Sequence, residues 1–220
     1  VINHKYYSGI EKEYGSYKGT KLFCPYTWIF NKSYNQKYRT STREREREIR
    51  NLKFCKNIIG RTDWDKRVTR ILAPQSAYYH CDEILRESFY HYMWEKSANT
   101  KTIVHTTSGS GFFKGFETIC LALNEINNIG LNLEWRIAGL VEDSILVKTV
   151  KRKLKKNFPT QALVLFGNLN ENELINRMLE ADIYVMPSHI ENSPNSLCEA
   201  MMLGMPCITT LAGGSSSILK

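Results

Sequence analysis

The sequence predicts an α/β fold in which a parallel sheet carries helices on both faces. Two observations predict it: short apolar runs rich in Val and Ile recur from Thr102 onward, and the segments between them carry apolar residues at helical spacing. A third is punctuation, since Gly130 and Gly204 stand where helix C-terminal glycines belong. In order, Thr102–Ser108 reads as a strand and Lys114–Ile129 as a helix with Phe116, Ile119, Cys120, Leu123 and Ile126 on one face. Leu133–Leu140 reads as a strand, Ile145–Asn157 as a helix, Ala162–Gly167 as a strand and Asn172–Glu180 as a helix. Ile183–Pro187 is a strand, Ser196–Leu203 a helix and Pro206–Thr210 a final strand. Such alternation puts a ligand crevice at the carboxyl ends of the strands.

Upstream the pattern is less regular. Tyr6 to Tyr38 is rich in Tyr, Lys, Gly and Asn and predicts a long loop or mixed segment. Thr42–Phe54 reads as a charged helix in which opposite charges meet at i+3 but like charges at i+4, so internal pairing supports it weakly. Asn57–Gly60 reads as a short strand, Trp64–Leu72 as a helix and Ala77–His80 as a second strand.

Composition narrows the classes. With 220 residues and 42% hydrophobic content the chain can bury at least one good core. The six cysteines are scattered without a C-x-x-C pair, which favours a reduced, cytosolic protein over a disulfide framework or zinc site. No apolar run is long enough to span a bilayer. The net charge of +8 calls for an anionic partner. Its densest source is Lys148, Lys151, Arg152, Lys153, Lys155 and Lys156, which at helical spacing leave Val147, Val150, Leu154 and Phe158 for the buried side. Such a helix is either simply solvated or attracted to an anionic membrane leaflet. The chain carries no aromatic-and-basic, zinc-finger or helix-turn-helix pattern, so nucleic acid is not the expected partner.

Two loops carry chemistry. In Glu191-Asn192-Ser193-Pro194-Asn195-Ser196-Leu197-Cys198-Glu199, one carboxylate follows a strand and the other lies within the next helix. Carboxylates accept hydrogen bonds from sugar hydroxyls, and free amides at a helix start bind phosphate. The other loop is Ser108-Gly109-Ser110-Gly111-Phe112-Phe113-Lys114-Gly115, whose small residues let backbone approach a phosphate while Lys114 adds positive charge. It has neither the Walker G-K-[ST] nor the full G-x-G-x-x-G spacing.

With Pro187-Ser188 before it and Glu199-Ala200-Met201 and Gly204-Met205-Pro206 after it, the Glu191–Glu199 stretch resembles the E-x7-E signature of retaining GT-B glycosyltransferases, especially family 4. The resemblance implies a Rossmann-like donor-binding domain at 97–220, truncated at its C-terminus. It makes residues 1–96 the end of the acceptor-side N-terminal domain with a linker at Asp82–Lys96. It further implies a hexosyltransferase using a nucleoside-diphosphate sugar, without cofactor or metal, on a glycan or lipid-linked acceptor. Bacterial surface-polysaccharide assembly at the inner face of the cell membrane is the setting expected by analogy, and a fragment of this extent is expected to be inactive by itself. Residue by residue, Lys114 would hold the leaving diphosphate and Glu191 the donor-sugar hydroxyls. Asn192, Ser193, Pro194, Asn195, Ser196 and Leu197 would touch sugar and phosphates, and Glu199 the ribose. Ser108, Gly109 and Ser110 would face the diphosphate, with Gly167 bordering the nucleoside.

The family's second diphosphate cation, an arginine, falls on Gly109 here, and Asn192-Ser193-Pro194 replaces the common Gly-Phe-Gly. Two further readings stay open: a nucleotide-sugar epimerase of the same fold, and a non-catalytic nucleotide-sugar-binding remnant. His189 reads as structural, and His80-Cys81-Asp82 as linker rather than metal site.

Overall fold

The structure, a computed structural model, describes residues 34–96, 98 and 100–219, with side chains from residue 43 onward. The chain divides into two compact units, Val1–Cys81 and Asp82–Lys220. The loop expected from Tyr6 to Tyr38 lies outside the described residues except for its last positions, which are helical.

In the first unit, helix α1 (Tyr34–Phe54) is followed by β1 (Asn57–Gly60), α2 (Asp63–Leu72) and β2 (Ala77–His80). The two strands pair in parallel with Asn57 opposite Ala77. Helix α2 starts with a capping box: the Thr62 hydroxyl accepts from the Asp65 amide while the Asp65 carboxylate accepts from the Thr62 amide.

The second unit begins with a 3₁₀ turn at Glu87–His91, then runs β3 (Thr102–Thr107), a 3₁₀ turn (Phe112–Lys114), α3 (Phe116–Asn128), β4 (Leu133–Ala138) and α4 (Ile145–Leu154). It continues with β5 (Leu163–Gly167), α5 (Glu171–Leu179), β6 (Ile183–Met186), α6 (Asn195–Met202), β7 (Cys207–Thr209) and α7 (Ser215–Ile218). The strands form one parallel sheet in the order β5-β4-β3-β6-β7. The chain therefore winds outward from β3 to β5 and returns to β6 and β7, so the loops leaving β3 and β6 diverge at the switch point.

Helix α3 buries Phe116, Ile119, Cys120 and Leu123. Helix α4 buries Leu146, Val147 and Val150, whereas the expected Leu154 and Phe158 are only half-buried because the helix ends at Leu154 and passes into a 3₁₀ turn. Leu174, Ile175 and Met178 on α5 and Leu197 and Ala200 on α6, with Leu203 just after it, join Ile103, Ala138, Tyr184 and Phe89 in one core cluster. Ser144 and Asn170 cap α4 and α5 through their side chains, each satisfying a first-turn amide.

Most expected elements differ from the observed ones only at their ends. The exception at β3–α3 has a clear cause. Gly115 takes φ +80°, which ends the Phe112–Lys114 turn before α3 begins. The predicted helix start at Lys114 therefore becomes a separate turn. The segment Asp82–Lys96, read as linker to the first domain, falls in the second unit. Phe89 is fully buried in that unit's core, and Trp94 donates its indole N–H to the Ala181 carbonyl and its amide to that of Leu203, each at 2.7 Å.

Candidate functional site

Both chemistry-bearing loops leave the carboxyl end of the sheet side by side, because β3 and β6 are parallel neighbours. Lys114 Nζ is bonded to Glu191 Oε1, which joins the two loops directly. The pair is unequal in exposure: 30% of the Lys114 side chain is accessible against 8% for Glu191. A mostly buried carboxylate thus faces a cation that retains access to solvent.

Close backbone approaches hold this pair in place. Gly115 lies so near the Pro187 carbonyl that a β-carbon would sit 2.0 Å from its oxygen, and the Phe113 carbonyl accepts from the His189 amide at 2.7 Å. Gly213, at φ +55°, passes over the Glu191 backbone, where a β-carbon would meet the carbonyl oxygen at 1.6 Å. No side chain fits at either contact, so the Lys114-Gly115 and Gly213-Gly214 motifs have a steric origin. Buried Ser188 donates its hydroxyl to Glu191 Oε1 at 2.9 Å, and Thr210 in turn donates to the Ser188 carbonyl. Glu191 is therefore gripped from three strand ends.

Glu199 lies one turn into α6 and is also mostly buried, with 8% of its side chain exposed. Arg86 Nε donates to its Oε1 at 2.8 Å. That carboxylate holds the Arg86 guanidinium above its ordinary pKa, against the opposing effect of burial.

The remaining predicted residues divide by geometry. Ser108 is buried at the end of β3 and gives its amide to the Ala138 carbonyl, so its backbone donor is already used. Gly109 and Ser110 are exposed on the loop, and a β-carbon on Gly109 would meet nothing within 4 Å. Asn192 and Asn195 are exposed; Ser193 and Ser196 are half-buried. Leu197 does not line the crevice. Its side chain is fully buried in the core and its amide donates to the Pro194 carbonyl at 3.1 Å, while Pro194 itself has no amide to offer. Gly167 closes β5 at φ +69° and accepts from Gly139, whose own φ of +90° lets it lie against the Ser108 carbonyl. These glycines make tight turns at the strand ends and bring no side chain to the site.

His189 contributes Nε2 to a hydrogen bond with Thr118 Oγ1 at 3.1 Å. Among the described residues no group of three or more His, Cys, Asp or Glu side chains is placed to hold a metal ion, and no helix is long and apolar enough to cross a membrane.

Sequence reasoning missed Arg86 and Ser188 as contacts of the two glutamates, and Thr210 as the residue that holds Ser188. Ser188 is three residues from Glu191 and could have been found from the Pro187-Ser188 string. Arg86 is 113 residues from Glu199, and no local pattern links them.

The comparisons with known proteins agree with this architecture. Sucrose-phosphate synthase from Thermosynechococcus elongatus is similar at 16% identity and a TM-score of 0.63, covering 76% of this chain and 43% of its own. HepE from Anabaena, solved with UDP and glucose, is similar at 14% identity and a TM-score of 0.62, covering 77% of this chain and 48% of its own. A glycosyltransferase from Rickettsia africae is similar at 13% identity and a TM-score of 0.59, covering 73% and 45%. The chain thus spans less than half the length of these structures, and at such identities the likeness establishes the GT-B fold. A search of the curated proteins found no match. The sequence model of the family described as glycosyl transferases group 1 matches residues 92–220, more than half of the chain and all of its five-stranded sheet, and the chain belongs to that family.

Proposed function

We propose that the full-length protein is a retaining hexosyltransferase that takes its sugar from a nucleoside diphosphate. The observation carrying this reading is the Lys114–Glu191 pair at the sheet's switch point. In the resting site each group neutralises the other. A donor diphosphate brings more negative charge than one carboxylate and draws the accessible Lys114 towards itself. Glu191, still held by Ser188, then has acceptor capacity for the donor-sugar hydroxyls.

In the reaction the bond from the anomeric carbon to the diphosphate oxygen breaks, and negative charge grows on the departing phosphate. Lys114 acts where that charge develops, which is the requirement for electrostatic catalysis. Glu191 orients the sugar as its ring gains oxocarbenium character. An acceptor hydroxyl oxygen then bonds to the anomeric carbon on the face the diphosphate leaves, and its proton passes to the departing phosphate oxygen. Glu199 reads the ribose hydroxyls. Exposed Gly109 and Ser110 approach the diphosphate in place of the family's arginine, and Asn192, Ser193, Asn195 and Ser196 line the sugar side. UDP, which HepE from Anabaena holds, is the first nucleotide to test.

We place the acceptor among glycan or lipid-linked saccharides of bacterial surface-polysaccharide assembly, reached from the cytoplasmic face of the membrane. The exposed cations of α4 and its following turn, Lys148, Lys151, Arg152, Lys155 and Lys156, support attraction to an anionic leaflet. Residues 1–81 belong in this reading to the end of the acceptor-side domain, and 82–220, which form one compact unit, to the donor domain. Catalysis needs the acceptor brought against the donor with water excluded. No cofactor or metal is required.

The test uses full-length protein, a radiolabelled UDP-hexose and a lipid-linked acceptor extract. Lys114→Ala lowers kcat by about 10²–10³-fold, the effect of removing one group that stabilises developing charge. A product with inverted anomeric configuration, or unchanged kcat in Lys114→Ala, contradicts the reading. Product in which donor and released sugar differ only at one sugar carbon would favour the epimerase instead.

A further inference from the structure

We propose that Arg86 is the positioning residue for Glu199, fixing that carboxylate so that its second oxygen reads the ribose of the donor nucleotide. The inference rests on the reading of Glu199 given above and adds to it a residue that lies outside both glycosyltransferase motifs.

The geometry fixes the guanidinium on three sides. Nε donates to Glu199 Oε1 at 2.8 Å, one terminal nitrogen lies 3.6 Å from Glu171 Oε2, and the guanidinium carbon stands 4.7 Å from the centre of the Phe89 ring. Each of those partners is itself anchored. Phe89 is fully buried in the core, Glu171 accepts from the Ser88 hydroxyl, and Glu199 lies on α6 between buried Leu197 and Ala200. Trp94 ties the far end of the same segment to Ala181 and Leu203. The stretch from Arg86 to Trp94 is therefore a strap fastened across α5 and α6, and Arg86 is its contact with the site.

A carboxylate with 8% exposure and no cation beside it would be costly to keep ionised. Arg86 supplies the charge and takes only Oε1; among the described residues Oε2 accepts no hydrogen bond. An acceptor atom held by one charged partner and open on its other oxygen suits a neutral hydroxyl pair. It has no use for a phosphate, which the carboxylate would repel. The guanidinium's packing against Phe89 also limits rotation of the ion pair, so the open oxygen keeps one direction.

The experiment titrates full-length protein with UDP and with 2′,3′-dideoxy-UDP by calorimetry. The parent binds UDP more tightly than the dideoxy compound. Arg86→Ala weakens UDP by about tenfold, the loss of one charge-assisted hydrogen bond's orienting effect, and leaves the dideoxy compound within about twofold. Arg86→Lys recovers part of the ribose preference, and Arg86→Ala adds nothing to the loss already present in Glu199→Ala. Should Arg86→Ala fail to fold, Arg86→Lys carries the comparison, with a ribose preference between parent and Glu199→Ala. Tighter UDP binding in the Arg86 variants would make the arginine a plug and overturn the inference. Equal weakening of both nucleotides would make it structural and also overturn it. A parent that binds UDP without ribose preference removes the role of Glu199 and this inference but leaves the diphosphate site. A parent that binds no nucleotide removes both.

Discussion

Glu191 is held by Lys114, Ser188 and the backbone passage of Gly213, so the crevice is sensitive to changes that carry no chemistry of their own. Gly213→Ala must relieve a 1.6 Å approach to the Glu191 carbonyl at a positive φ. It is expected to cost at least about 3 kcal/mol, the combined order of a left-handed non-glycine residue and a backbone clash, as read from chemical denaturation. Unchanged stability would mean the loop is free to move off Glu191. His105 supplies a pH prediction. It is fully buried on β3, beside Tyr184 and within 3.3 Å of Thr107 Oγ1, with no hydrogen-bond partner for Nδ1 among the described residues. Burial, with a smaller push from Arg136, lowers its pKa from 6.5 to about 3. Between those values the unfolded chain binds the proton and the folded one does not. His105 therefore lends full stability above pH 6.5 and progressively less as the pH falls towards 3. The slope is at most about 1.4 kcal/mol per pH unit. Melting curves across this range should flatten in His105→Leu relative to the parent, and an unaltered slope would assign the acid sensitivity elsewhere.

At the scale of elements, periodicity was sufficient for the alternating part of the chain. The α3 face Phe116, Ile119, Cys120 and Leu123 was legible because a helix against a sheet must bury an i, i+3, i+4 stripe. The β3–α3 junction was misread by a turn, since the left-handed Gly115 is demanded by the Pro187 carbonyl from another strand, a contact no local window contains. The same limit hid the strap. Arg86-Glu87-Ser88-Phe89 has no hydrophobic period and reads as linker, yet Phe89 is fully buried and Arg86 meets Glu199. Of the candidate site, the meeting of Lys114 with Glu191 is legible through spacing and family pattern, whereas the bond from the Leu197 amide to the Pro194 carbonyl, which occupies a donor expected to face the ligand, is not. Phe89→Ala tests the strap as an element. It should destabilise the second unit by about 3–5 kcal/mol, as truncation of a buried phenylalanine does. A surface-like loss below about 0.5 kcal/mol in denaturant unfolding would show that the segment is not part of that unit's core.

Over the whole molecule, the second unit contains every residue assigned to the donor, and its sheet order places Lys114 and Glu191 on either side of one switch point. The family match covers this unit from residue 92 onward, while Arg86 precedes it. In the proposed reading, donor recognition draws on the strap as well as on the motif-bearing sheet; in the structure each of the two glutamates is already paired with a cation. The central claim is that these pairs form one nucleoside-diphosphate site. Calorimetry of UDP against full-length parent, Lys114→Ala and Glu199→Ala tests it most directly. Each variant is expected to lose roughly 1.5–3 kcal/mol of UDP binding, the worth of a hydrogen bond to a charged group, measured under conditions where both variants remain folded. UDP affinity unchanged in both variants would contradict it.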